Sequence, residues 1–215
     1  MLTDWGNNGH PEFLPMSYNY CALGAQNAWN VEVEQNGGYN KNNFVYNARK
    51  YADKYMFKSN TAKYVARLSD YYTLEPERPF GVTCCFYSIV CPMSEKQFEV
   101  WFNIDDFFDD IPFYFGNVAD YVKKIISELN SSDGDPVQKR EIILDANLII
   151  LGARLMMHRY NPKDKAEMSE SVNMIDFLVS EYRELWCNRN YEYGYDMFAD
   201  KLLERKKELL ELTGI

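Results

Sequence analysis

MLTDWGNNGHPEFLP, residues 1–15, sets the question that the rest of the sequence answers. A short start with Leu2 and Thr3 leads into Asp4, Trp5 and Gly6. Asparagines, Gly9, His10 and two prolines follow. This is the pattern of a strand end that opens into a binding loop. A strand needs a partner for its backbone donors and acceptors. Beyond residue 40, however, the chain reads as helical throughout.

The apolar residues recur at three and four, as on one face of a helix. Phe44, Val45, Ala48, Tyr51, Ala52 and Tyr55 form one such stripe, and Tyr64, Val65, Leu68, Tyr71 and Tyr72 a second. Val118, Tyr121, Val122, Ile125, Ile126 and Leu129 form a third. Ile175, Leu178, Val179, Tyr182, Leu185 and Trp186 form a fourth, and Phe198, Leu202, Leu203, Leu209 and Leu210 close the chain. The tract from Ile142 to Met157 is the most apolar, yet it carries Asp145, Asn147 and Arg154. It is too short and too polar to span a bilayer and fits a central helix buried on most sides. VTCCFYSIV, residues 82–90, would suit a buried strand by composition, but it has no partner strand and is read as helix.

Helix starts are marked by Asp135-Pro136 and Asn161-Pro162, each an N-cap residue followed by proline at the first helical position. Ser94 to Gln97 fits a capping box. Asn117 with Asp120 is a weaker version, and Asn40 or Asn42 can cap the helix after Gly37-Gly38. Pro76, Pro79, residues 131–134 and Gly194 mark breaks. The fold expected is all-α, a bundle of six to eight helices from about residue 40 onward, with residues 1–10 standing apart.

At 215 residues the chain can bury one sizeable core. Its formal charge of −9 argues against nucleic acid and against an anionic membrane surface as partners. The basic run from Lys201 to Lys207 reads as the solvated face of a last helix. Five cysteines lack the spacing of a disulfide framework or a zinc site and read as reduced, mostly buried thiols. With no leader pattern at the start, the expected location is cytoplasmic. No cofactor is indicated.

A strand end, a functional loop and a helix together make the repeat unit of a (β/α)8 barrel. Residues 1–6 would be a last strand, 7–16 its loop and SYNYCALGAQNAW, residues 17–29, its helix. In TDWGN, GHPEFLP and YCALGAQNAW the sequence resembles the end of the barrel of glycoside hydrolase family 20, the exo-acting β-N-acetylhexosaminidases. In YNARKYADKYMF and FLVSEYRELWCNRN it resembles the helical region that follows the barrel in bacterial members. The resemblance covers both ends of the chain well and residues 76–135 poorly. It implies two parts, a remnant of the last barrel unit over 1–30 and an α-helical domain over 31–215.

The resemblance further implies that Trp5 is a wall on which an N-acetylhexosamine stacks, with Asp4, Asn7 and His10 on the same substrate-binding loop. Asn7 stands where the family carries an acidic residue. The family's catalytic Asp-Glu pair belongs to an earlier barrel strand and has no counterpart here. The chain is therefore expected to be a C-terminal fragment, accessory or dimerising, not catalytic alone. Its expected partners are an N-acetylhexosamine-containing sugar, and a barrel domain or a second copy. The alternative is a free-standing helical interaction domain, with TDWGNNGH as an arm that has no sugar role.

Other clusters read as structural. Asp105-Asp106-Phe107-Phe108-Asp109-Asp110 lacks the spacing of a calcium loop. It fits a solvated loop or helix start anchored by both phenylalanines. His158, near a helix end, suits the dipole as a cation. Asp145, Asn147 and Arg154 are expected to be paired internally or at an interface. Ser17 and Cys21 have no histidine partner, so nucleophilic catalysis is unsupported.

Overall fold

A computed structural model describes residues 12–29, 41–76, 83–93, 96 and 104–214. No strand occurs among the described residues. Eight α-helices do: α1 (Leu14–Trp29), α2 (Lys41–Tyr51), α3 (Ala62–Ser69), α4 (Cys84–Val90), α5 (Ile111–Asn130), α6 (Pro136–Tyr160), α7 (Lys165–Arg189) and α8 (Asp196–Thr213). A π-helical turn, Ala52–Phe57, continues α2, and 3-10 turns cover Tyr71–Leu74 and Ile104–Asp110.

The tract from Ile142 to Met157 lies within α6, the spine of the molecule. Ile142, Ala146, Ile150, Ala153 and Met156 join a core shared with α1 to α5. Leu144, Leu148, Leu151 and Leu155 join a second core with α7 and α8. A helix enclosed by apolar neighbours on two sides cannot show one polar face, which is why its sequence looked continuously apolar. Links of a few residues connect α5, α6, α7 and α8, as expected of antiparallel neighbours. The α5 stripe of Val118, Val122, Ile125 and Leu129 is wholly buried. Burial of each such side chain contributes about 1.5–3 kcal/mol.

Residues 84–90 are helical, as expected, and Thr83 caps them by accepting from the Phe86 N–H at 3.3 Å. This short helix lies so close to α6 that a Cβ on Gly152 would sit 2.2 Å from the carbonyl oxygen of Cys85. Ser88 Oγ stitches the crossing by bonding the carbonyls of Cys85 and Gly152, both at 2.9 Å. Asp135 caps α6 by accepting from Gln138 N–H at 2.9 Å, with Pro136 at the first position.

Several expectations are corrected. Asn161-Pro162 does not start a helix. Asn161 closes α6, and Asp164 caps α7 through the Glu167 N–H at 3.2 Å. Asn117 and Asp120 lie inside α5, which runs through them without a break. Tyr51 and Tyr55 are exposed, not buried. The π turn inserts one residue per turn, so the buried face passes from Ala48 and Ala52 to Phe57. Of the basic run near the end, Arg205 is 1% exposed and bonded to Glu208 at 3.1 Å. Ser94, Glu95 and Gln97 of the capping box, Gly37-Gly38 and Pro79 lie outside the described residues. Among the described residues no helix is long and apolar enough to cross a membrane.

Candidate functional site

Trp5, Asp4, Asn7 and His10 lie outside the described residues, as does the strand expected at 1–6. Glu12 and Phe13 connect them to α1. Phe13 is buried and belongs to the α7–α8 core, whereas Met16 and Ala22 of α1 belong to the other. The chain therefore enters its first helix through the seam between the two cores.

Asp145 of α6 holds that entry. Its Oδ2 accepts a hydrogen bond from the Phe13 N–H at 3.1 Å, across 132 residues of sequence. The carboxyl is almost fully enclosed, and its Oδ1 has no hydrogen-bond partner among the described residues. Burial pushes it well above the usual carboxylate range. The nearby Glu12 charge adds to this, the Phe13 N–H acts against it, and Glu141 raises it further. An enclosed group of this kind cannot reach a substrate. It can hold a backbone segment in place.

The Phe13 ring meets Tyr182 of α7 edge-on, with centroids 5.6 Å apart. Tyr182 also lies against Trp186, Tyr195 and Phe198 at 5.8, 6.2 and 5.5 Å. Such contacts add about 0.5–1.5 kcal/mol each beyond burial. Burial raises the Tyr182 phenol, and the Asp145 charge raises it further. One turn before Asp145, Glu141 is fully buried and takes a bidentate contact from Arg189 of α7. These residues lock α6, α7 and the entry to α1 into one unit.

The α7–α8 loop borders this unit. Trp186 Nε1 donates to the Tyr191 carbonyl at 2.8 Å, and Arg183 pairs with Glu192 and lies 5.7 Å over the Tyr195 ring. Gly194, at φ 90°, makes the return possible. The loop leaves Tyr191 and Tyr193 more than nine-tenths exposed.

His158 does not act as a cation at a helix end. Its Nε2 pairs with Ser171 Oγ at 2.9 Å in a buried contact between α6 and α7. Burial, with Arg154 nearby, lowers its pKa to about 4 despite Asp164. Arg154 pairs with Glu167 and Glu170 at 3.4 and 3.1 Å. In the acidic run, Phe107 is buried but Phe108 is 39% exposed against Tyr160, so one phenylalanine anchors the turn and not both. None of the five cysteines forms a disulfide: Cys84 and Cys85 are buried, Cys21 and Cys91 half-buried and Cys187 exposed. No group of three or more His, Cys, Asp or Glu among the described residues could hold a metal ion.

Sequence reasoning flagged Asp145 as a buried polar group but missed Phe13 as its partner and Tyr182 as the ring against Phe13. The signal for Phe13 was weak: a lone aromatic before Leu14-Pro15, with no periodic neighbour. No family model matches the chain, and no curated protein or solved structure matches it either.

Proposed function

We propose that the chain is the C-terminal part of a family 20-like glycoside hydrolase, an exo-β-N-acetylhexosaminidase, and that its helices form an accessory domain. The observation that carries this reading is the anchor at Phe13. A substrate loop is useful only if its base is fixed, because a misplacement of about 1 Å can cost two orders of magnitude in rate. The Asp145 hydrogen bond and the Tyr182 ring fix the residue three positions after His10 to the spine of the helical body. The domain thus braces the loop that carries Asp4, Trp5, Asn7 and His10. Trp5 stacks on the apolar face of an N-acetylhexosamine, and the amides and His10 bond its hydroxyls. Exposed Tyr191 and Tyr193 add aromatic surface on the α7–α8 loop. The catalytic acid and its partner carboxylate come from an earlier barrel strand, so these residues bind sugar without cleaving it.

The test is a titration with N-acetylglucosamine followed by tryptophan fluorescence, with Trp5→Ala as control. The expected result is a saturable response in the millimolar range that Trp5→Ala loses. A response that persists in Trp5→Ala, or none at all, refutes the sugar role and leaves a helical interaction domain. Turnover of an aryl N-acetylglucosaminide, abolished by changing a carboxylate within this chain, refutes the accessory role.

A further inference from the structure

The charge of −9 is unevenly spread. Residues 41–67 hold seven cations and one carboxylate, a net of +6, which leaves −15 on the rest of the chain. The single carboxylate, Asp53, is turned inward and accepts from the Ala62 N–H at 2.7 Å. Arg49, Lys50, Lys54 and Lys58 are all exposed, with no ion-pair partner among the described residues. They alternate with the exposed Tyr46, Tyr51 and Tyr55. Tyr51 and Tyr55 stack at 4.7 Å and are 52% and 55% exposed. Lys50 Nζ lies 4.5 Å over the Tyr46 ring, and Lys54 Nζ 4.9 Å over Tyr55. These cation–π pairs preorder the face for an anionic partner.

A second face carries the opposite charge with the same aromatic character. Asp106, Asp109 and Asp110 are exposed, and no lysine or arginine occurs between residues 97 and 122. Phe108 and Phe113 stand beside them, 39% and 67% exposed. Exposed phenylalanines ringed by unpaired charge are the composition of a recognition surface more than of a solvated turn.

We propose that these two faces bind each other between copies of the chain, with Lys50, Lys54, Tyr51 and Tyr55 of one copy against Asp106, Asp109, Phe108 and Phe113 of the next. Each face repels its own image, so the contact pairs unlike faces and sets the register. A long polyanion would run on over the rest of the chain, which carries a formal −15, whereas the acidic face of a second copy is a local patch of matching sign. This contact does not depend on the sugar-binding reading.

The experiment is sedimentation of three proteins: wild type, Lys50→Glu with Lys54→Glu, and Asp106→Lys with Asp109→Lys, each checked for helicity by circular dichroism. Wild type associates at low salt and dissociates in about 1 M salt, where charges are screened beyond about 3 Å. Each charge-reversed protein alone associates at least about tenfold more weakly. An equimolar mixture of the two associates again, because the reversed faces are complementary. A wild type that stays monomeric at low salt, or a mixture that stays monomeric while wild type associates, overturns the proposal. So does a monomer that instead binds heparin or single-stranded DNA through Lys50 and Lys54. If a variant loses its helicity, the salt dependence of the wild type decides alone, and salt-insensitive association overturns the proposal.

Discussion

Helix α6 buries three ionisable side chains, and at two of them, Asp145 in its first half and His158 near its C-terminus, the enclosure shifts the titration in opposite senses. Burial raises the carboxyl and lowers the imidazole, because both charged forms lose hydration. What differs is what each one holds. His158 bonds Ser171, across a pair of helices already joined by a short link. Asp145 bonds Phe13, and closes a separation of 132 residues. The same physics therefore gives a local staple at one position and a long-range anchor at the other. Only the anchor bears on the segment proposed to meet sugar.

The largest effect is expected at the anchor. Arg189→Met leaves the fully buried Glu141 carboxylate without its partner, and breaking a buried pair in this way costs about 3–5 kcal/mol. The urea midpoint should fall accordingly. A loss below about 1 kcal/mol would mean that Glu141 is hydrated and the anchor end is not tightly packed.

At the other position the test is acid. The unfolded chain protonates His158 near its usual 6.5, whereas the folded chain does so only at about 4. Between these values the unfolded state binds more protons, so stability falls as pH is lowered through the window. The full difference is on the order of 3 kcal/mol. Urea midpoints at neutral pH and near pH 4 should show this loss, and His158→Gln should remove it. An unchanged acid slope in His158→Gln would show that the imidazole stays charged in the fold.

Asp145 has the reverse sign. Its folded pKa is raised above the usual 3.8, so its neutral form favours folding at low pH, and stability is lost as pH rises through the folded value. Asp145→Asn keeps an acceptor for Phe13 and carries no charge. It should melt no lower than wild type at neutral pH, and that advantage should vanish near pH 4. A variant that melts lower than wild type at neutral pH but not near pH 4 would show that the fold favours the charged carboxylate. The smallest effects are expected at the caps. Asp135→Ala and Asp164→Ala should each cost about 1 kcal/mol. A much larger cost at Asp135 alone would show that α6 is anchored through its start as well as through Asp145.

The helical fold was legible because the stripes of α5 and α7 follow helical periodicity and Asp135-Pro136 is a strong start. Tyr55 was misread because a π turn breaks the 3.6-residue period, and no residue type announces it; Tyr51, still in regular helix, lies beside the buried line through Ala48 and Ala52. Arg205 looked like surface because its charge says nothing of the wall around it. Asn161-Pro162 has the composition of an N-cap, but Asp164 three residues later wins with an actual acceptor bond. Of the site, Asp145 was legible as a polar residue in an apolar helix. Its partner was not, because a contact across 132 residues leaves no mark in local pattern.

The central claim is that the helical body fixes the chain at Phe13, where the segment proposed to meet sugar ends, and amide hydrogen exchange at Phe13 tests it most directly. Its N–H donates to Asp145, whereas the Leu148 amide on α6 serves as an internal reference. The account predicts that Phe13 exchanges nearly as slowly as Leu148, at the rate of global opening. In Asp145→Leu, Phe13 should exchange at least about tenfold faster relative to Leu148. A Phe13 amide that exchanges in wild type as fast as in a free peptide would contradict the account.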